Sequence, residues 1–457
     1  MQDRVAVEQT RVVTGAVTEL VPGYAKRLAQ AGIFFALMPY LGVAVLPSDT
    51  QPVAFVIATV GVGLLLLGSR LRLAYLTLPL LGMALLATVS LILRAGFDDV
   101  GYIWLARSYY GYASAPVVVT FFLYYLRLLR QEEIARAVDV ALAVVFIGFL
   151  LNALGLSWII QGLVNRAVFP GFVVGARGLA SFFAEPSNIS EQMAMCLFCY
   201  VLTGQVTKTR MAAIVAAMVI SAAGQMFVIF AHVVLAYGLA SALLVFVHKG
   251  LPLRTVTRIT LAGVLVAGFI SFNQVIAADL IRVGFPARGI TAISRIIEEG
   301  PTYIGRDAGI MNKVAAPLQV PATLRDNPFV FKLAASVDPK FRETIGRTYP
   351  LLLRVLFDSD KMLFQTRPST AMGLWVIEFG VLGLLVALSF MGLLLWRAFR
   401  ASRERQLAVL WASLFLIQVL FIKIQLANPS LWLLSALIWM TASEGSALSR
   451  QSSATAP

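Results

Sequence analysis

The chain has 457 residues, of which 59% are hydrophobic and 13% are charged, and its mean hydropathy is +0.83. One water-facing surface cannot hide so many apolar side chains, so the composition excludes a soluble domain. The net charge of +14 comes from basic residues scattered in short segments between apolar runs. Nucleic-acid binding is therefore disfavoured, because it requires a continuous basic stripe.

The apolar runs predict an all-α polytopic membrane protein with about twelve transmembrane helices, since a bilayer span needs roughly 20 apolar residues and must be helical in lipid. Nine predicted helices fall within residues 31–277, and three within 372–444. The predicted spans are 31–47, 53–69, 73–93, 110–126, 137–160, 187–204, 211–228, 230–247, 259–277, 372–396, 407–423 and 428–444. The spans 211–228 and 230–247 divide one uncharged stretch, because a single helix there would break the alternation of basic loops.

Short basic clusters predict the orientation, because Lys and Arg are enriched in short cytoplasmic loops. Lys26 with Arg27, Lys208 with Arg210, and the similar clusters are each separated from the next by an even number of predicted spans. Both termini are then cytoplasmic, as a segment 1–30 and a disordered tail 445–457. The first apolar run follows a polar, charged segment, so no cleavable signal peptide is predicted.

Residues 278–371 differ from the rest of the chain, because they contain eight prolines, charges of both signs and no long apolar run. They predict a large, mostly helical periplasmic loop between the ninth and tenth helices. Guanidinium groups bind diphosphate as bidentate forks, so the basic excess of this loop favours an anionic substrate. Pairing with loop acids or lipid head groups is the alternative. The candidate ligands are Arg166, Arg282, Arg288, Arg295, Arg347, Arg354 and Arg367.

The densest polar stretch beside an apolar run extends from Arg177 to Glu191. Pro186 suits the first turn of a helix, and the Ser and Asn residues after it can satisfy free backbone amides there. Glu185 is then predicted at the outer mouth of the sixth helix, one short loop from Arg177. A plain helix cap with a salt bridge would explain the same residues.

Two further titratable groups are candidates for acid–base chemistry. Glu378 lies inside the tenth predicted helix, where a carboxylate is either functional or hydrogen-bonded to a neighbouring helix. His232 lies in the eighth predicted helix on the outer side, and a satisfied core histidine is the alternative. Cys196 and Cys199 lie inside an apolar run and are interpreted as core residues. There is no His pair, and no metal and no cofactor are predicted.

Two segments carry a resemblance to a known family. The pattern from Arg177 through residues 185–187 (Glu-Pro-Ser) resembles the O-antigen and exopolysaccharide polymerases of the Wzy type. The family's small-residue segment is similar to residues 368–370 (Pro-Ser-Thr). Its Glu-x-Gly-x-x-Gly pattern is similar to residues 378–383. The related O-antigen ligases usually show Asn-Pro-Asn at the first segment and a His-Asn pair at the second, so these departures favour a polymerase.

The resemblance implies a metal-independent membrane glycosyltransferase at the periplasmic face of the bacterial inner membrane. The growing glycan on undecaprenyl diphosphate would be transferred to a sugar hydroxyl of an incoming lipid-linked repeat unit. Arg177 is the leading diphosphate ligand and Glu185 the leading base, with Glu378 and His232 as further catalytic candidates. Expected partners are the lipid-linked oligosaccharide, membrane lipids, a chain-length regulator and a flippase. Ligase-like transfer to another acceptor, or transport of a lipid-linked oligosaccharide, are the alternatives.

Overall fold

The computed structural model describes residues 22–42, 50–68, 71–94, 101–164, 181–183, 186–248, 299, 319–335, 370–422 and 427–454. These residues are almost entirely helical and form no β-sheet beyond one bridge between Leu41 and Val164. The helices are α1 (Pro22–Leu37), α2 (Val53–Leu67), α3 (Thr77–Arg94), α4 (Tyr102–Tyr125), α5 (Gln131–Ala153), α6 (Ser157–Leu163), α7 (Pro186–Thr203), α8 (Lys208–His248), α9 (Ala371–Phe399), α10 (Arg403–Ile422) and α11 (Pro429–Ala454).

Three of the described helices are long and apolar enough to cross a membrane: α5, α9 and residues Arg403–Phe421 of α10. Large apolar side chains such as Leu67, Leu85 and Phe246 are exposed on the outside of the bundle. Such an exterior suits lipid, because apolar patches of this extent are rare on soluble monomers. The prediction of an all-α protein is confirmed for the described residues, whereas the count of about twelve spans stays a prediction.

Several helix ends that carry basic residues lie together. Lys26 near the start of α1 forms a 3.1 Å salt bridge with Glu133 in the first turn of α5. Arg127 lies in the 3₁₀ turn that ends α4, and its positive charge acts on Arg397 in the last turn of α9. We call this side of the bundle the basic face. Its members are Lys26, Arg127, Arg130, Arg210, Arg397 and Arg400.

Arg210 connects three helices at the basic face. Its guanidinium donates two hydrogen bonds to Asp139 of α5, at 2.9 and 2.7 Å, and a third, at 2.8 Å, to the carbonyl of Gln205. The Tyr200 hydroxyl near the end of α7 donates to the same carboxylate at 2.6 Å. The end of α7 and the start of α8 are thereby attached to the first half of α5, and α7 runs antiparallel to α5.

Helix boundaries differ from the predicted spans where local chemistry interrupts the apolar pattern. Helix α1 begins at Pro22, nine residues before the predicted 31, and ends at Leu37. Pro39 explains the end, because proline cannot continue a helix and restricts the residue before it. The predicted span 137–160 is divided into α5 and α6, and Gly155 between them has a φ of 74°.

Two further predictions are wrong. The predicted pair 211–228 and 230–247 is one helix, α8, of 41 residues. At about 1.5 Å per residue it exceeds the roughly 30 Å that a hydrocarbon core requires. In the tail 445–457, predicted to be disordered, the residues up to Ala454 are instead helical, because α11 continues to Ala454. The predicted span 259–277 lies outside the described residues.

Candidate functional site

Most of the predicted site residues lie outside the described part of the chain, so their roles stay predictions. They are Arg166, Arg177, Glu185, Arg282, Arg288, Arg295, Arg347, Arg354 and Arg367. The described residues include Glu378 and His232, and short parts of both segments that carry the family resemblance. The site is therefore built from Glu378 and from the residues next to each segment.

Glu378 lies in the core near the start of α9 and is only 1% exposed. The Tyr112 hydroxyl of α4 donates a 2.8 Å hydrogen bond to its Oε2 atom. The ring of Tyr112 also packs edge-on against Phe379, with the ring centroids 5.5 Å apart. A buried carboxylate needs such donors. Moving a carboxylate from water into a protein core without hydrogen-bond partners costs on the order of several kcal/mol.

The backbone of α9 is broken directly after Glu378. Gly380 has φ 55° and ψ −132°, which is not helical, and a side chain is strained at such a φ. A Cβ atom built on Gly380 would lie 2.1 Å from the carbonyl oxygen of Pro328. Built on Gly383, it would lie 1.9 Å from the carbonyl oxygen of Trp375. Both glycines of the Glu-x-Gly-x-x-Gly pattern are therefore required by the backbone itself.

Residues 319–335, the described part of the predicted loop, satisfy the backbone groups that this break releases. The amide of Val381 donates to the carbonyl of Pro328 at 2.8 Å, and the amide of Lys332 donates to the carbonyl of Glu378 at 2.8 Å. We call residues 319–335 the docking segment. Without it, two backbone groups inside an apolar bundle would lack partners, which is costly in lipid.

The docking segment is also attached to α3. The amide of Leu333 donates a 2.8 Å hydrogen bond to Oγ of Ser90, and both residues are buried. Phe331 packs edge-on against Phe379, with the ring centroids 5.6 Å apart. Since Ser90 lies near the end of α3, the docking segment sits away from the basic face. We call this side of the bundle the opposite face.

The segment that begins at Arg177 is described at residues 181–183. The hydroxyl of Ser181 donates to the carbonyl of Val145 at 2.8 Å, and its amide donates to Oδ1 of Asn152 at 2.8 Å. Ser181 fits only because the facing residue of α5 is Gly148, where a Cβ would lie 2.1 Å from the serine Oγ. The turn is therefore fixed on the end of α5, at the opposite face.

Four buried polar groups beside the two resemblance segments have no hydrogen-bond partner among the described residues. They are the hydroxyls of Ser190 and Thr370, the amide of Gln192 and the indole N–H of Trp375. Each of these side chains is fully buried. Native interiors pair nearly all such groups, so these four are exceptions within the described part of the bundle.

His232 lies in α8, which packs mainly against α7 and α10. Next to it, the carbonyl of Val233 accepts a 2.8 Å hydrogen bond from the indole of Trp411 in α10. Glu378 lies instead between α4, α9 and the docking segment. The structure therefore places the two predicted acid–base groups in different parts of the bundle.

Sequence reasoning missed the residues that hold Glu378. Tyr112 stands in a run of tyrosines and small residues, and Ser90 in a plain apolar helix, so neither carries a local signal. The described residues contain no group of three His, Cys, Asp or Glu side chains that could hold a metal. Comparison of the chain with known protein families and with curated proteins finds no match.

Proposed function

We propose that the chain is a membrane glycosyltransferase that polymerises lipid-linked oligosaccharide repeat units, as its resemblance to the Wzy-type polymerases implies. One observation carries the proposal: both resemblance segments are fixed by buried polar contacts at the same opposite face. Ser181 docks on α5, and Gly380 docks on the docking segment. A helix cap or a chance motif does not require either attachment.

The proposed reaction forms one glycosidic bond and breaks one glycosyl phosphate bond. A sugar hydroxyl of the incoming repeat unit attacks the anomeric carbon of the growing glycan, and the bond from that carbon to undecaprenyl diphosphate breaks. The hydroxyl proton passes to a base, and the bonding electrons leave with the lipid diphosphate. This chemistry needs cations at the departing diphosphate and one general base.

The helix orientation supports an anion at the opposite face. Helices α7 and α9 both begin there, and the start of a helix carries a partial positive charge. Arg177 precedes the docked turn at Ser181 by four residues, so it is our proposed diphosphate ligand. Arginine suits the role, because its planar fork can hold two phosphate oxygens at once.

Glu185 is our proposed general base, and Glu378 is assigned a positioning role. At 1% exposure and with its Oε2 bonded to Tyr112, Glu378 has no surface for a sugar hydroxyl to reach. It holds the break in α9 against α4 and thereby positions the residues of the second resemblance segment. Glu378 therefore affects catalysis only through the residues that it positions.

The test is the glycan ladder of a strain that lacks the gene, compared with the complemented strain. A polymerase predicts that the deletion leaves a single repeat unit on its acceptor, while complementation restores the ladder. Accumulation of long chains on undecaprenyl diphosphate would instead indicate a ligase and reject the proposal. Absence of any glycan on the outer side would indicate a transporter and reject it as well.

A further inference from the structure

Three arginines at the basic face have no carboxylate partner among the described residues. Arg397 lies within electrostatic reach of both Arg400 and Arg127. Like charges held together are unfavourable unless an anion joins them. Arg210 at the same face differs, because Asp139 neutralises it.

Two contacts position the guanidinium of Arg397, but one of its N–H groups has no acceptor among the described residues. One terminal nitrogen donates to the hydroxyl of Ser443, and its Cζ lies 5.1 Å from the ring centroid of Trp439. Its Nε atom is buried and has no hydrogen-bond partner among the described residues. A buried N–H of an ionised group that lacks an acceptor is costly, so the position calls for an acceptor oxygen.

Arg400 and Trp396 lie beside the pair formed by Arg397 and Trp439. The Cζ of Arg400 lies 4.5 Å from the ring centroid of Trp396, and Trp396 lies 6.4 Å from Trp439. Trp396 is 41% exposed at the end of α9, next to the arginines. Tryptophan and arginine together at the end of a membrane-crossing helix are typical of the lipid head-group region.

An apolar track leads from the arginines along α9 toward the middle of the bundle. Leu385 and Leu388 are 54% and 50% exposed, and space is open around Gly392 between them and Trp396. These positions follow one another at three- or four-residue intervals, so they share one helix face. The track has the length and the apolar character of an acyl chain, which a soluble anion lacks.

We propose that Arg397 and Arg400 bind the phosphate of an anionic phospholipid at the basic face, with an acyl chain along the exposed face of α9. The guanidinium groups supply paired donors to the phosphate oxygens, and the buried Nε of Arg397 gains its acceptor. This site lies at the end of α9 remote from Glu378, so it is separate from the proposed polymerase site and does not depend on it.

The test uses the purified full chain in phosphatidylcholine nanodiscs with and without phosphatidylglycerol. Phosphatidylglycerol is expected to raise the thermal midpoint, and native mass spectrometry is expected to show it retained. Arg397→Gln should bind it about tenfold more weakly, the loss expected for one charge-assisted phosphate contact. Arg400→Gln, at an exposed residue, should weaken binding in the same direction.

Arg403→Gln is the matched control, because it removes the same charge at an exposed position outside the cluster. It should leave phosphatidylglycerol binding unchanged. An equal loss of phosphatidylglycerol binding in Arg403→Gln would show that binding depends only on general surface charge, and it would overturn the proposal. Stabilisation by inorganic phosphate as strong as that by phosphatidylglycerol would also overturn it, since the ligand would then be a soluble anion.

Discussion

The hydroxyl of Tyr112 and the carboxylate of Glu378 meet at 2.8 Å in the core, although 266 residues separate them in the sequence. Tyr112→Phe should lower the free energy of unfolding by about 1–3 kcal/mol, because it removes a hydrogen-bond donor from a buried carboxylate. The thermal midpoint of the purified protein in nanodiscs measures the effect. Tyr102→Phe, on the same helix but 81% exposed, should change the midpoint little. Equal shifts in both variants would show that this hydrogen bond does not stabilise the fold.

Gly380→Ala tests the break in α9. The positive φ and the contact with the Pro328 carbonyl should together cost about 3 kcal/mol or more, since strain at such a φ alone costs 1–3. Gly392→Ala in the same helix adds the same methyl group in open space and should be neutral or slightly stabilising. Limited trypsin digestion provides a second measurement. Arg325 in the docking segment should be cleaved faster in Gly380→Ala, and unchanged cleavage would mean that the segment docks independently of the break.

The cluster of Asp139, Tyr200 and Arg210 predicts a graded series of stabilities. Arg210→Lys should cost about 1–2 kcal/mol, because lysine cannot make the paired contact and because partial exposure weakens the ion pair. Tyr200→Phe should cost less, since the arginine contacts of Asp139 remain. Lys208→Gln removes a nearby exposed charge and is the control for net charge. Denaturant titration in detergent measures all three, and a Lys208→Gln effect as large as that of Arg210→Lys would exclude a specific contact.

Arg177 should be required for polymer formation. Arg177→Ala should abolish the glycan ladder at normal protein level, and Arg177→Lys should restore it only in part, because a point charge lacks the bidentate fork. Arg325→Ala is the matched control, since Arg325 already pairs with Asp326 at 2.8 Å in the docking segment. Full rescue by lysine would reassign Arg177 to a surface counter-ion.

Substitutions of Glu185 and Glu378 should impair the protein in different ways. Glu185→Gln should remove polymerisation and leave the thermal midpoint unchanged, because a base acts on the proton and not on the fold. Glu378→Gln should lower both the thermal midpoint and the rate, while the pH dependence of the remaining rate stays that of the wild type. A changed pH profile in Glu378→Gln would make Glu378 the base.

The helical class followed from composition, because apolar runs in lipid allow little else. Helix ends were predicted less well, since hydropathy does not report where backbone geometry changes. The stretch 211–247 contains neither a charge nor a proline, so its sequence offers no signal for one helix rather than two. Pro39 and Gly155 did carry such signals, and the apolar pattern extended past both.

The candidate site was only partly predictable for a similar reason. Glu378 stood out because a carboxylate inside an apolar run is conspicuous. Its partners did not, since Tyr112 and the docking segment reach it only through long-range packing. The two glycines of the Glu-x-Gly-x-x-Gly pattern were recognised by resemblance, and only the positions of Pro328 and Trp375 explain why side chains are excluded there.

The attachment of the docking segment to α9 also bears on how the protein is made. Residues 319–335 leave the ribosome before α9, so they are already synthesised when that helix is inserted. The carbonyl of Glu378 and the amide of Val381 can therefore pair with Lys332 and Pro328 during insertion. A chain whose docking segment is delayed or deleted would present an interrupted helix to the translocon. Its first failure should accordingly be poor membrane integration and rapid degradation of the nascent protein.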